Sequence, residues 1–468
     1  MRKKRKNTVF EGVKIESMAA EGKCIARVED KVIFIKGVAP GDVADIQVTR
    51  KKKSFLEGIP IKFHEYSDKR AEPFCEHFGT CGGCKWQHIN YETQLFYKRQ
   101  QVIDSLERIA KVELPDIHPI LSSENTRYYR NKMEYTFTNR KWLTPEETKS
   151  GEKINRDAVG FHIPGRFDWV IDINECHLQE DISNRIRLSV KEFAKENELS
   201  FYDILKNNGL LRILIIRITS LGEIMVIVQF GENDTPKIDL LLSHVKETFP
   251  EITSLQYVIN TKKNDTFNDL EVKTFSGKSY ITEELENLKF RIGPKSFFQT
   301  NSQQALTLYE VARDFAGLSG DEVVYDLYTG TGTIANFVAN GARKVIGLEY
   351  VEDAIKDANI NSEINSITNT EFFAGDIKNL LDDAFLSVHG QPDVIITDPP
   401  RAGMHADVVR MLLKAKAKKI VYISCNPATQ ARDVALLDSQ YKVTKVQPVD
   451  MFPQTHHVEN VVLLELKN

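Results

Sequence analysis

Asp326-Leu327-Tyr328-Thr329-Gly330-Thr331-Gly332-Thr333-Ile334-Ala335 ends the apolar run Val323–Leu327 and opens a helical pattern over residues 332–340. A buried strand that turns through glycines into a helix is the first unit of a doubly wound α/β fold. Gly330 and Gly332 let a ligand approach the backbone at the helix start. Gly330-x-Gly332-x-x-Ala335 by itself also suits a nicotinamide dinucleotide. Two acids favour S-adenosylmethionine instead. Asp326 ends the first strand, where it meets the charged amino-acid part of that cofactor. Glu349 ends the second strand, 23 residues later, where it suits ribose hydroxyls.

Outward from this unit, helix and buried strand alternate to the end of the chain. Helical patterns cover 302–317, 352–364, 405–415 and 428–438, with strands at 344–348, 371–373, Val394–Thr397 and Lys419–Ser424 and a closing pair, Tyr441–Val449 and Glu459–Leu466. Continuous Val/Ile-rich runs between helices indicate a sheet covered on both faces. Asp376 follows the third strand and is a candidate for the adenine amino group. Asp398-Pro399-Pro400-Arg401 follows the fourth, and its prolines lock the backbone so that Asp398 stands over the carboxyl edge. Arg401 occupies the place where amino-methylating enzymes carry a base-stacking aromatic residue, which counts against adenine-N6 methylation.

Ser424-Cys425-Asn426-Pro427 reaches the same edge one strand further on, within reach of Asp398. A cysteine ahead of a helix N-terminus is expected to favour the thiolate. Phe452-Pro453-Gln454-Thr455-His456-His457-Val458-Glu459 reads as a polar loop in which Glu459 or His457 supplies a base. A thiolate, a methyl donor and a base together suit methylation of uracil carbon 5, because thiolate addition at carbon 6 makes carbon 5 nucleophilic.

These residues resemble the RNA (uracil-5-)-methyltransferases of the TrmA/RumA type. The motifs are Phe298-Gln299-x-Asn301, the loop from Asp326 to Gly332, Asp398-Pro399-Pro400-Arg401-x-Gly403, Ser424-Cys425-Asn426-Pro427 and Thr455-x-His457-x-Glu459. The resemblance spans essentially the whole chain. It implies Cys425 as nucleophile and Glu459 as proton acceptor. It assigns Gln299, Tyr328, Thr333, Glu349, Asp376 and Asp398 to cofactor contacts, Asp398 also positioning the uracil. Gln454-Thr455-His456-His457 departs from the His-Thr-Gly-His often found in relatives.

Six cysteines, at 24, 75, 81, 84, 176 and 425, do not form a disulfide framework in a chain of 468 residues. Cys75, Cys81 and Cys84 crowd among glycines, and Cys176 is the natural fourth ligand. Four thiolates suit zinc or an iron–sulfur cluster, and spacing does not choose. The resemblance to the RumA branch implies a 4Fe-4S cluster, with zinc second. Cys24 reads as barrel core. The segment after the cluster mixes Lys85, Trp86, Tyr91, Phe96, Tyr97, Lys98 and Arg99, with Arg127, Arg130 and Lys132 beyond. This set suits either a grip on single-stranded RNA or helix packing.

Short β-like runs at 9–15, Cys24–Val28, 32–35, 43–48 and 56–61 suit an OB-type barrel, which the resemblance identifies as TRAM-like. Residues 1–62 carry 15 Lys and Arg against 8 Asp and Glu, a surplus of seven. With a net charge of −4 for the chain, the remainder carries −11. A basic end on an acidic chain points to a polyanion. The expected organisation is a barrel at 1–63, a central α+β domain at 64–290 and a Rossmann-like methyltransferase domain at 291–468.

The expected substrate is structured RNA, 23S ribosomal RNA first and transfer RNA second, in a soluble cytoplasmic enzyme with no implied protein partner or membrane. Two other classes fit parts of the pattern. One is a radical S-adenosylmethionine enzyme, which the absent C-x3-C-x2-C argues against. The other is a non-catalytic metal-containing RNA-binding module, which the intact thiol and cofactor residues argue against.

Overall fold

The computed structural model describes residues 8–467. The basic run at 2–6 lies outside them. Helix and strand follow the sequence reading closely where burial is one-sided or complete.

The N-terminal part is a six-stranded sheet. Its edge strands, Val9–Lys14 and Ser17–Met18, are separated by only two residues, so the sheet curls back on itself. Ser17–Met18 adds a short strand to the five expected. Val13, Ile15, Ala26, Ile33, Ile35, Ala44 and Ile46 fill the interior. Cys24 is buried there and donates its S–H to the Val38 carbonyl at 3.0 Å, as a core cysteine does.

The central part is a seven-stranded mixed sheet whose middle strands, Leu211–Ile218 and Ile224–Phe230, are buried on both faces. Helices Asp181–Glu196 and Thr235–Thr248 cover one face. The other face packs on the hairpin Ile281–Leu285/Leu288–Ile292 and on helix Ser302–Ala316. Two arginines interrupt the longest apolar run and are nonetheless buried. Arg212 meets Asp265 at 2.8 Å, and Arg217 donates to the Ser296 carbonyl at 2.7 Å.

The C-terminal sheet runs, edge to edge, Thr370–Ala374, Lys344–Glu349, Val323–Leu327, Val394–Thr397, Lys419–Ser424, Glu459–Leu466 and Tyr441–Val449. The first five are parallel and the last pair antiparallel. Numbered along the chain, the order is 3-2-1-4-5-7-6, so the chain reverses direction across the sheet between strands one and four. That reversal opens a crevice at the carboxyl edge.

Helix Tyr91–Ser105 ties the front of the chain to this domain. Lys98 and Asp450, both fully buried, meet at 2.5 Å, and Tyr91 donates to the same carboxylate at 2.8 Å. Trp86, Tyr97 and Lys98 are interior, and Arg99 donates to the carbonyls of Ile117 and His118. For these residues packing, and not an RNA grip, is the outcome. Among the described residues no helix is long and apolar enough to cross a membrane.

Candidate active site

At the cofactor end, Asp326 is fully buried. One carboxylate oxygen accepts from Thr329 Oγ1 at 2.5 Å, and the other has no protein partner. Burial first, then Asp398 and Glu349 nearby, push this carboxyl up to about 7. A buried oxygen without a partner is a place for a ligand donor. Tyr328 (φ 64°), Gly330 (φ 56°) and Gly332 (φ 73°) carry the chain over the strand end in left-handed conformations. A Cβ on Gly332 would lie 2.9 Å from both Ala358 and Phe372, whereas one on Gly330 would enter open space.

Glu349 accepts from the backbone N–H groups of Gly330 (3.2 Å) and Val351 (3.0 Å), which ties the glycine loop to the second strand. Thr333 is buried with Oγ1 3.2 Å from Thr331 Oγ1. Gln299 is buried, and its main-chain carbonyl accepts from Asn131 Nδ2 at 2.8 Å. Asp376 stands apart, at the rim. It caps helix Ile377–Leu380 and pairs with Lys378 at 3.0 Å, which holds its carboxyl below the ordinary range.

At the reacting end, Ser424 pairs with Asn460 in antiparallel register. One step further out, that register sets Cys425 against Glu459. Asp398 continues the fourth strand, its N–H 3.4 Å from the Leu327 carbonyl. Burial pushes Asp398 up to about 7, and burial together with Asp398 pushes Glu459 far above the carboxylate range. The Cys425 thiol goes up to about 11, through burial and then Glu459 and Asp398, with Arg401 opposing. This corrects the expectation that the following helix N-terminus favours thiolate. Two carboxyl groups and loss of water outweigh a partial helix charge.

His456 and His457 are pushed down to about 3 and about 4, first by burial. Their imidazoles are neutral and weakly basic, while Glu459 once ionised has the greater proton affinity. Of the two groups the sequence offered as a base, Glu459 is the one whose proton affinity the fold raises and His457 the one whose affinity it lowers.

Tyr309 was not singled out by sequence reasoning. It lies on helix Ser302–Ala316, buried beside Gln299, and Asp398, Asp326 and Glu459 all disfavour its phenolate. A tyrosine on the inner face of an amphipathic helix carries no signal that separates it from core. Asp433, also missed, is fully buried and accepts from Tyr422 OH (2.7 Å), Met404 N (2.8 Å) and Arg432 Nε (2.8 Å). It holds the turn that follows Arg401.

The structure gathers the four cysteines around one cavity of about 170 Å³, lined also by Phe74, Met133, Arg130 and Thr455. Burial pushes Cys81 and Cys84 up to about 12 and raises Cys75 and Cys176. Among the described residues, no three His, Cys, Asp or Glu are drawn close enough to hold a single metal ion. A zinc ion would need sulfurs about 2.3 Å from its centre. The four thiols share the wall of one cavity without converging on a single point.

The comparisons with known proteins agree with this geometry. The family described as tRNA (Uracil-5-)-methyltransferase matches residues 270–467, and the TRAM domain matches residues 6–61. An RNA methyltransferase of Bacteroides thetaiotaomicron is 59% identical, with 96% of this chain and 100% of the relative covered. One from Porphyromonas gingivalis is 55% identical, covering 97% and 99%. The crystal structure of Pyrococcus abyssi tRNA (uracil-54, C5)-methyltransferase in complex with S-adenosyl-L-homocysteine superposes with a TM-score of 0.74 at 29% identity, covering 97% of this chain and all of that one. The chain belongs to the RNA (uracil-5-)-methyltransferase family, with a TRAM domain ahead of a Rossmann-like catalytic fold.

Proposed function

We propose that this enzyme methylates carbon 5 of a uridine in folded RNA, with S-adenosylmethionine as methyl donor. The register that sets Cys425 against Glu459, beside Asp398, carries this reading. The open Gly330 backbone, the unpartnered Asp326 oxygen and Glu349 fit the donor. When bound, it supplies an electrophilic methyl group. Gln299, Tyr328, Thr333 and Asp398 complete its surroundings, with Asp376 at the rim.

Cys425 adds to carbon 6 as thiolate, its proton passing to a neighbouring carboxylate, and carbon 5 becomes nucleophilic. After the methyl group has joined carbon 5, Glu459 takes the proton from that carbon. The carbon 5–carbon 6 double bond re-forms and the carbon–sulfur bond breaks, returning the thiolate. Asp398 positions the ring. Stacked uridine hides carbons 5 and 6, so the base is flipped out of the RNA.

We assign Cys75, Cys81, Cys84 and Cys176 as the ligands of a 4Fe-4S cluster. Four protein thiolates leave no open iron, which favours a structural use. In the proposed division of labour, residues 1–63 bind RNA, 64–290 hold the cluster, and 291–468 carry the reaction.

The cysteine set and barrel support ribosomal RNA, 23S first, as substrate. The whole-length likeness to a transfer-RNA enzyme supports the second reading. Mass mapping of both RNAs from a deletion strain decides between them, by which one loses a 5-methyluridine. Retention of every 5-methyluridine overturns both.

A further inference from the structure

Glu459 sits five residues after Gln454, and Gln454 is bound on three sides by the segment that carries the cysteines. Its carbonyl accepts from Lys85 N (2.9 Å) and Trp86 N (3.0 Å), the two residues directly after Cys84. Its N–H donates to Gln94 Oε1 at 2.9 Å, and its Oε1 accepts from Gln94 Nε2 at 3.0 Å. Gln94 also donates to the Trp86 and Ile89 carbonyls, so this buried amide ties Gln454 to the turn after Cys84. Gln454 has a φ of 66°, a left-handed conformation that a glutamine holds only when its surroundings impose it.

The next residue, Thr455, lines the cysteine cavity itself. Its hydroxyl donates to the Phe452 carbonyl at 2.7 Å and accepts from His457 N at 3.3 Å, making a tight turn toward Glu459. Tyr129 fixes the other shoulder, donating to the Pro453 carbonyl at 2.9 Å. The wall of the cysteine cavity and the loop that carries the base are thus one hydrogen-bonded piece.

We propose that Gln454 is a positioning residue through which the Cys75–Cys81–Cys84–Cys176 chamber sets the place of Glu459, so that an intact chamber serves proton removal from carbon 5 but not covalent capture. This rests on the proposed roles of Cys425 and Glu459. Capture depends on Cys425 and the Asp398 loop, whose following turn is held separately, at Ala402 and Met404, by Arg432 and Asp433. Elimination depends on a carboxylate whose loop is held from the cysteine side. Misplacement by about an ångström is enough to slow a proton transfer.

The test uses full-length enzyme and ordinary unmodified RNA substrate. Gln454→Gly keeps the left-handed backbone and removes the amide, Gln94→Ala removes its partner, and Cys84→Ser opens the chamber. Each is expected to lower kcat roughly 10- to 100-fold and KM along with it, kcat/KM being set by the steps through methyl transfer. Each is also expected to accumulate a denaturant-stable enzyme–RNA adduct whose uracil is already methylated. Amide hydrogen exchange over residues 454–459 should quicken in all three.

Glu459→Gln is the reference, expected to accumulate the same adduct. If Glu459→Gln does not, the assigned base is wrong and this proposal falls with it. If Glu459→Gln accumulates adduct but Gln454→Gly and Gln94→Ala lose capture and turnover together, or keep full turnover, the coupling alone is overturned. Gln94→Ala leaves every cysteine in place, so a folding failure of Cys84→Ser does not protect the idea.

Discussion

Asn426, directly after Cys425, donates its side-chain amide to the main-chain carbonyl of Arg401 at 3.1 Å. The same side chain accepts from Ala428 N at 3.2 Å and so caps helix Pro427–Leu437. Thr429 reaches the same Arg401 carbonyl at 3.2 Å. The loop holding Asp398 and the loop holding Cys425 are therefore sewn together. Asn426→Ala should lower kcat roughly 2- to 10-fold, the worth of one such bond, with cofactor affinity unchanged in calorimetry. An unchanged kcat would show that the two loops hold their places separately.

Cys425→Ser should abolish both methylation and the trapping of RNA that carries 5-fluorouridine, since fluorine at carbon 5 leaves no proton to remove. Cofactor binding should survive, because Cys425 is not among the residues proposed to surround the cofactor. A trapped complex in the variant would remove the nucleophile from the mechanism.

Asp326 and Asp398 are each raised by the fold from 3.8 to about 7. A carboxyl raised on folding contributes stability that is full below about pH 3.8 and is lost as pH rises through about 7. Asp326→Asn should therefore melt higher than the cofactor-free parent at pH 8 and show a smaller difference at pH 5. Thermal scans at the two pH values read this out; a difference that does not shrink toward acid contradicts it.

Gly332 and Gly330 both have positive φ, but only Gly332 is closely surrounded. Gly332→Ala meets Ala358 and Phe372 as well as backbone strain, and should lower the melting temperature and abolish cofactor binding. Gly330→Ala carries the strain alone, of order 1–2 kcal/mol, and should fold. Equal losses of stability in the two would show that crowding at Gly332 is relieved at no cost.

Lys36, Lys85 and Arg401 are exposed and, among the described residues, form no ion pair with an acid. Burial and then the charges of Lys36, Arg401 and Lys23 hold the Lys85 ammonium below its ordinary range, so these cations share one neighbourhood. They come from the barrel, the segment after Cys84 and the loop after Asp398. Replacing any one with alanine should reduce the slope of log affinity against log salt by about 0.7–0.9 for each phosphate left without its cation. Filter binding across a salt series measures it, and an unchanged slope removes that residue from the RNA path.

Much of this was legible because the catalytic strands are buried on both faces and spell that out in Val and Ile, as in Lys419–Ser424. The site residues stand at strand ends, where an acid or a cysteine breaks an apolar run visibly. The hairpin at residues 281–292 was not legible. Its inward face reads Ile281, Glu283, Leu285, and an acid in the middle hides the alternation. Glu283 is buried there because Ser220 N (2.9 Å) and Ser302 Oγ (2.5 Å) donate to it from distant segments. Asp450 escaped for the same reason, since Lys98 and Tyr91 lie more than 350 residues before it. The thiol of Cys425 was misjudged because helix charge is local and readable, whereas two carboxylates arriving from other strands are not.

The buried Lys98–Asp450 pair has a consequence for how the protein is made. Its members are 352 residues apart. At about 5–20 residues per second, the ribosome takes about 20–70 s to deliver the aspartate after the lysine. Through that interval the lysine has no place to go but water, so helix Tyr91–Ser105 cannot take its final seat. The reactive crevice is then the last part of the molecule to come into being. Until residue 450 is made, the helix that joins the front of the chain to the C-terminal sheet lacks the buried acid its lysine needs, and the two cannot close on one another.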